Sequence, residues 1–179
     1  MTAGEWQLRM AELCRDCAQA EAGEEEGLLQ VAHNLLAIAP HGNGGIDATL
    51  ADHLPPRAAF QRLLGAGAHD SAALALMPEQ GSFLLSRSGG GACIASVLLP
   101  GMDEELTSEG ESPALALVSA LAAALTQLAS DGTRKAERGL DCAMMLDDDE
   151  WESDALGDIP LDLATDVAEW CRPAGISLH

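Results

Sequence analysis

The chain has 179 residues, enough for one domain with a sizeable core and too few for two ordinary ones. Acidic residues outnumber basic ones 29 to 9, and the formal net charge of -20 repels phosphate backbones and anionic membrane surfaces. Arg134, Lys135 and Arg138 form the one local basic cluster, interrupted by Glu137; it reads as a solvated helix end, so neither nucleic-acid binding nor membrane insertion is expected.

Met1 to Trp6 has no basic start and no apolar core, so no secretory signal is expected and the cytoplasm is the expected compartment. Between Trp6 and Cys17, Trp6, Met10, Leu13, Cys14 and Cys17 share one helical face, which predicts a first helix ending near Gly23. Glu24, Glu25 and Glu26 precede the apolar run Leu28 to Pro40. That run fits a helix with carboxylates at its positive end. It also fits a hairpin of Leu28 to Ala32 and Leu35 to Ala39, turning at His33-Asn34. His41 to Gly45 is a glycine-rich loop by composition, and a short segment through Ile46 and Leu50 follows.

Pro55-Pro56 suits the opening of a helix that carries Phe60, Leu63 and Leu64 and stops at Gly65. Three strand-like runs follow, Ala72 to Met77, Ser82 to Arg87 and Ala92 to Leu99, joined by Pro78 to Gly81 and Ser88 to Gly91. An antiparallel meander is the expected arrangement. Pro100-Gly101 ends it, and an acidic loop leads to Ser112-Pro113. A long helix begins there, with Ala114, Val118, Leu121, Leu125 and Leu128 on one face. Its interruption by Ser119, Thr126 and Gln127 favours a packed helix over a membrane span. After Gly139 the composition turns acidic. From Leu140 onward there are eleven acids and one base, Arg172, so residues 1–139 are read as an α+β domain and 140–179 as an acidic extension. Within the extension, Pro160 can start a short helix, and Trp151, Leu156, Ile159 and Leu161 among the acids suit a docking segment.

Five cysteines, an odd number, fit a reducing compartment without disulfides. Cys14 and Cys17 have the spacing of a redox or zinc pair, but both fall on the apolar helical face and no second such pair completes a four-ligand site. His33, His41, His53 and His69 lack helical ligand spacing. Asp147-Asp148-Asp149 lacks the spaced oxygens of a calcium loop, and Gly89-Gly90-Gly91 leads into a strand rather than a helix N-terminus. No metal, no cofactor and no catalytic group is expected.

Phe60 to Gly67, Ala73 to Pro78 and Gly81 to Ser86, followed by Val97 to Pro100 and the helix from Pro113, give a pattern that resembles the small acidic effector chaperones of bacterial type III secretion. The resemblance spans roughly residues 5 to 130 and is one of element order and composition. It implies a twisted antiparallel sheet with helices packed on it, and a homodimer that holds an extended part of a secreted effector without cofactor or ATP. It also implies that Leu29, Val31, Leu36 and Ile38 lie in the first part of the sheet. Under it Trp6, Met10, Leu29, Val31, Leu36 and Ile38 face the partner, and Phe60, Leu63 and Leu64 form the dimer. Two other readings stay open: an acidic inhibitor or nucleic-acid mimic covering a basic surface of a partner enzyme, and a thiol enzyme using Cys14 and Cys17 or Cys142.

Overall fold

Thr2 opens the first helix. Its hydroxyl accepts from the Glu5 N–H at 3.2 Å and the Glu5 carboxylate accepts from the Thr2 N–H at 2.7 Å, a reciprocal cap that fixes the start of α1 (Ala3–Gln19). The computed structural model describes residues 1–40 and 53–144, with side chains as far as Gly132 in the last helix. Trp6, Met10, Leu13 and Cys17 line the buried face of α1, as their spacing predicts. The Trp6 indole Nε1–H donates to the Leu35 carbonyl at 2.8 Å, tying α1 to the next element.

That next element is a helix, α2 (Glu25–Ala37), which settles the ambiguity of the apolar run. Glu25, Leu29, Ala32, His33 and Leu36 are buried at helical intervals, and the acids of the first turn sit at the positive end of the helix. Leu29, Val31, Leu36 and Ile38 are therefore not sheet residues. With Val31 and Ile38 its only β-branched members, the run has the composition of a helix. α3 (Arg57–Gly65) begins after Pro55-Pro56 and ends at Gly65, as read from the sequence.

Ala72 to Met77 is not a strand. α4 (His69–Ala75) occupies most of it, burying Ala72 and Ala73 with Leu76 just beyond the helix end. Alternating Ala and Leu mimics a strand period, but both are strong helix formers. The meander exists one element later: β1 (Ser82–Arg87), β2 (Cys93–Leu98) and β3 (Leu106–Gly110) form an antiparallel sheet in the order β1-β2-β3. The β1–β2 turn closes with Gly91 N–H to Ser88 C=O at 3.0 Å, with Gly91 at φ 98. β3 lies in the segment expected to be an acidic loop. It has one large apolar side chain, Leu106, and its cross-strand support includes a hydroxyl pair, Ser96 Oγ to Thr107 Oγ1 at 2.7 Å.

α5 (Pro113–Met144) is the centre of the molecule, packed against α1, α2, α4, β2 and β3. Ala114 through Ala122 are all buried, a helix apolar on every side because protein surrounds it. Pro113–Gly132 is long and apolar enough to cross a membrane by length and composition, and 67% of it is buried inside this fold. Small residues let the layers close: a Cβ on Gly110 would meet the Ala116 amide nitrogen at 2.7 Å, so only glycine allows β3 to approach α5. The architecture is α+β. Met1–Met145 forms one compact unit, and α5 continues through the domain junction expected at Gly139. The loop from His41, the segment Ile46 to Leu50, the acidic run at Asp147, the helix from Pro160 and the docking segment lie outside the described residues. The basic cluster at Arg134 falls on α5 beyond the described side chains.

Candidate partner-binding surface

The titratable groups are built into the scaffold. Cys17 is buried among the core residues of α1, and burial, with Cys14 and Asp16 nearby, pushes its thiol up to about 12. That is the opposite direction from an activated thiolate. Cys14 lies on the same face, where Ser119 of α5 donates its hydroxyl to the Cys14 carbonyl at 3.0 Å and sits 3.5 Å from the Cys14 Sγ. This small polar clasp between α1 and α5 satisfies a fully buried serine.

Glu25 marks a convergence of three helix starts. Burial pushes its carboxyl up, but hydrogen bonds from its own amide, from the Gly23 N–H at 2.7 Å and from the Ser112 hydroxyl, with His69 at 3.7 Å, hold it below the usual carboxylate value. Ser112 also accepts the Leu115 N–H at 3.3 Å at the head of α5. The group ties the starts of α2, α4 and α5 together, with Glu25 buried and His69 partly exposed. His33 is similarly structural: its ring stacks on Phe60 with centroids 4.5 Å apart, and its Nε2–H donates to the Pro55 carbonyl at 2.9 Å. Nδ1 of the same ring is buried without a partner. Among the described residues no group of three His, Cys, Asp or Glu side chains is placed to hold a metal ion.

The residues expected to face a partner divide sharply. Trp6, Met10, Leu29 and Leu36 are each 2% exposed or less and belong to the core, which removes them from any surface role. Phe60 and Leu64 are also interior and Leu63 is half-buried; on α3 they face this chain's own core rather than a second copy. Val31 and Ile38 remain, 45% and 56% exposed. Together with Asn34 they follow one another along α2 at steps of three and four, so they form a single outward stripe. Ile38 leads into a groove of about 610 Å³ walled by Ala37, Ile38, Leu54 and Pro55, with Arg57 at its margin. Arg57 makes no ion pair among the described residues.

A second apolar surface escaped the sequence reading. On the sheet, Cys93, Ala95 and Val97 turn inward toward α5, so their partners Arg87, Leu85 and Phe83 share that inner side. The opposite face carries Leu84, Ile94 and Leu98 among Ser82, Ser86, Ser96 and Thr107, with Glu109 opposite Ile94 on β3; Ser96 is buried and Ile94 half-buried there, whereas Leu84 and Leu98 stand exposed. β1 lies beyond the helical layer. Phe83 is 45% exposed even on the inner side, Leu84 is 63% exposed and Leu98 37%. The signal available in sequence was the absence of any charge from Gly81 to Ser86 in a strongly acidic chain.

No protein-family model, curated protein or solved structure matches the chain.

Proposed function

We propose that the chain is a binding protein without catalytic chemistry that holds an extended apolar segment of another protein along α2. The supporting observation is the Val31–Ile38 stripe opening into the groove beside Leu54 and Pro55: exposed apolar surface maintained on a molecule of net charge -20. Covering the exposed part of Val31 and Ile38 contributes roughly 1 kcal/mol each, and filling the groove with one apolar side chain contributes about 2 kcal/mol more. High like charge keeps copies of such a protein apart despite that surface.

The pattern of residues 60–100 and the helix from Pro113, which resembles that of type III secretion chaperones, supplies the client class, although α2 and α4 stand where that resemblance implies strands. In this reading the protein works in the cytoplasm as a homodimer, without cofactor, and keeps secreted effectors soluble and competent for export. A client with basic flanks would also be drawn by the acidic surface, whereas its apolar centre would supply the lasting contact.

The test is affinity capture from the native host at rising salt. Exported proteins retained through short extended segments at about 1 M salt, where the Debye length is about 3 Å, are the expected result. Retention of a nucleic-acid enzyme alone, lost steeply as salt rises, would instead identify the protein as an acidic mimic covering a basic surface.

A further inference from the structure

The two edges of the sheet are protected unequally. Among the described residues β1 and β3 are the two edges of the sheet, and such edges invite another strand unless charge or cover prevents it. β3 is guarded: Glu109 lies within it, Asp103, Glu104 and Glu105 precede it, and Glu111 follows it. Two β3 edges brought together would oppose these acids. β1 is guarded less: Gly81 to Ser86 is uncharged, and its flanks carry one acid, Glu79, and one base, Arg87.

We propose that β1 pairs antiparallel with β1 of a second copy, about a two-fold axis that passes beside Leu84 and stands perpendicular to the sheet. Such an axis keeps each face of the sheet on its own side, so residues placed opposite one another must come from the same face. Centring on Leu84 meets this condition. Phe83 falls opposite Leu85 of the second copy on the inner side, Leu84 opposite its own copy on the outer side, and Ser82 opposite Ser86. The two Arg87 side chains end at opposite ends of the ladder, each facing a Gly81. Centring on Leu85 instead would set Phe83 against Arg87, and centring on Phe83 would leave Ser86 and Arg87 unpaired.

Charge sorting between the edges and self-complementarity of the strand together select a second copy as the occupant. The product is a six-stranded sheet whose open face joins Leu84, Ile94 and Leu98 of both copies into one apolar patch across the axis. No single chain carries this patch complete. A ladder of five residues buries less than the roughly 1,600 Å² of a standard stable interface, so the dimer forms with micromolar or weaker affinity and depends on concentration. The pairing rests on the homodimer named above and not on its clients.

The experiment is sedimentation equilibrium of the full chain from about 1 µM to about 1 mM, on the native protein and on Leu84→Glu. Leu84 is 63% exposed, so the substitution leaves the fold intact, and it sets two carboxylates about 5 Å apart at the axis. The native mass is expected to double across the range while Leu84→Glu stays monomeric, a loss of at least about tenfold in dimer affinity. In a second arm, Leu84→Cys is expected to form a disulfide-linked dimer on mild oxidation beyond any formed by the native protein, whereas Arg87→Cys does not. A native protein that stays monomeric at every concentration, or a Leu84→Glu variant that dimerises as the native does, would overturn the pairing. Client capture measured on the native protein separates the two proposals: a native protein that dimerises but captures no client sinks only the client reading, and one that captures clients while monomeric at every concentration sinks only the pairing.

Discussion

Glu25 shows how one side chain can couple separate helices. Its carboxyl is held below the usual value, so its contribution to stability is fully present above the unfolded-state value of about 4.5 and is lost as pH falls through the folded one. Glu25→Gln is expected to cost about 1–3 kcal/mol at pH 7, and the difference from the native protein should shrink as pH falls through the lowered folded-state value. Urea denaturation of both proteins at several pH values checks this; a difference that stays constant with pH would contradict it. Cys17 gives the opposite sign. With its thiol pushed up to about 12, the thiolate is scarce at pH 8, and alkylation of Cys17 in the folded chain should be at least about a hundredfold slower than that of a free cysteine. Mass mapping of labelled peptides over time would show it. Rapid labelling of Cys17 without unfolding would revive the thiol-enzyme reading. Neither behaviour is visible in sequence: Glu25 meets Ser112 and His69, far along the chain, and Cys17 is shifted chiefly by burial in the core, with Cys14 and Asp16 adding to it.

Elements whose local signals agree were legible, and those whose signals conflict were not. α1 carries a cap and a clean apolar face, α3 starts at a Pro-Pro pair and stops at glycine, and β1 and β2 flank a glycine turn; each stands where its residues place it. α4 was misread because an Ala-Leu alternation has a strand's period and a helix's propensity. β3 was misread because it buries little apolar surface of its own and is held by pairing with β2 and by contact with α5. The close approach at Gly110 makes that contact testable. Gly110→Ala forces a Cβ into the Ala116 backbone and is expected to destabilise the protein by about 1–3 kcal/mol. Thermal unfolding measures the loss; unchanged stability would mean that β3 can shift away from α5 at no cost. The candidate surface was half legible. Val31 and Ile38 are exposed as expected, though on a helix rather than strands; of the seven residues named with them, Trp6, Met10, Leu29, Leu36, Phe60 and Leu64 are core and Leu63 is half-buried, since burial of a large apolar residue is the commoner fate.

On the scale of the whole molecule, charge and exposed apolar surface describe a division of labour. Among the described residues, exposed large apolar side chains group on the α2 stripe (Val31, Ile38) and on the sheet (Phe83, Leu84, Leu98), with Met1, Leu8 and Leu74 exposed singly elsewhere, while acids line the β3 edge. One surface suits a client segment and the other a second copy, and neither requires a reactive group. The most direct measurement is client capture by the native protein beside the Val31→Asp/Ile38→Asp double variant, with both shown to be folded. Placing two carboxylates on the stripe removes its apolar contact and adds a desolvation cost, so the account predicts at least about a tenfold weaker hold on clients that persist at high salt. Equal capture by the two proteins would contradict the account and move the binding surface away from α2.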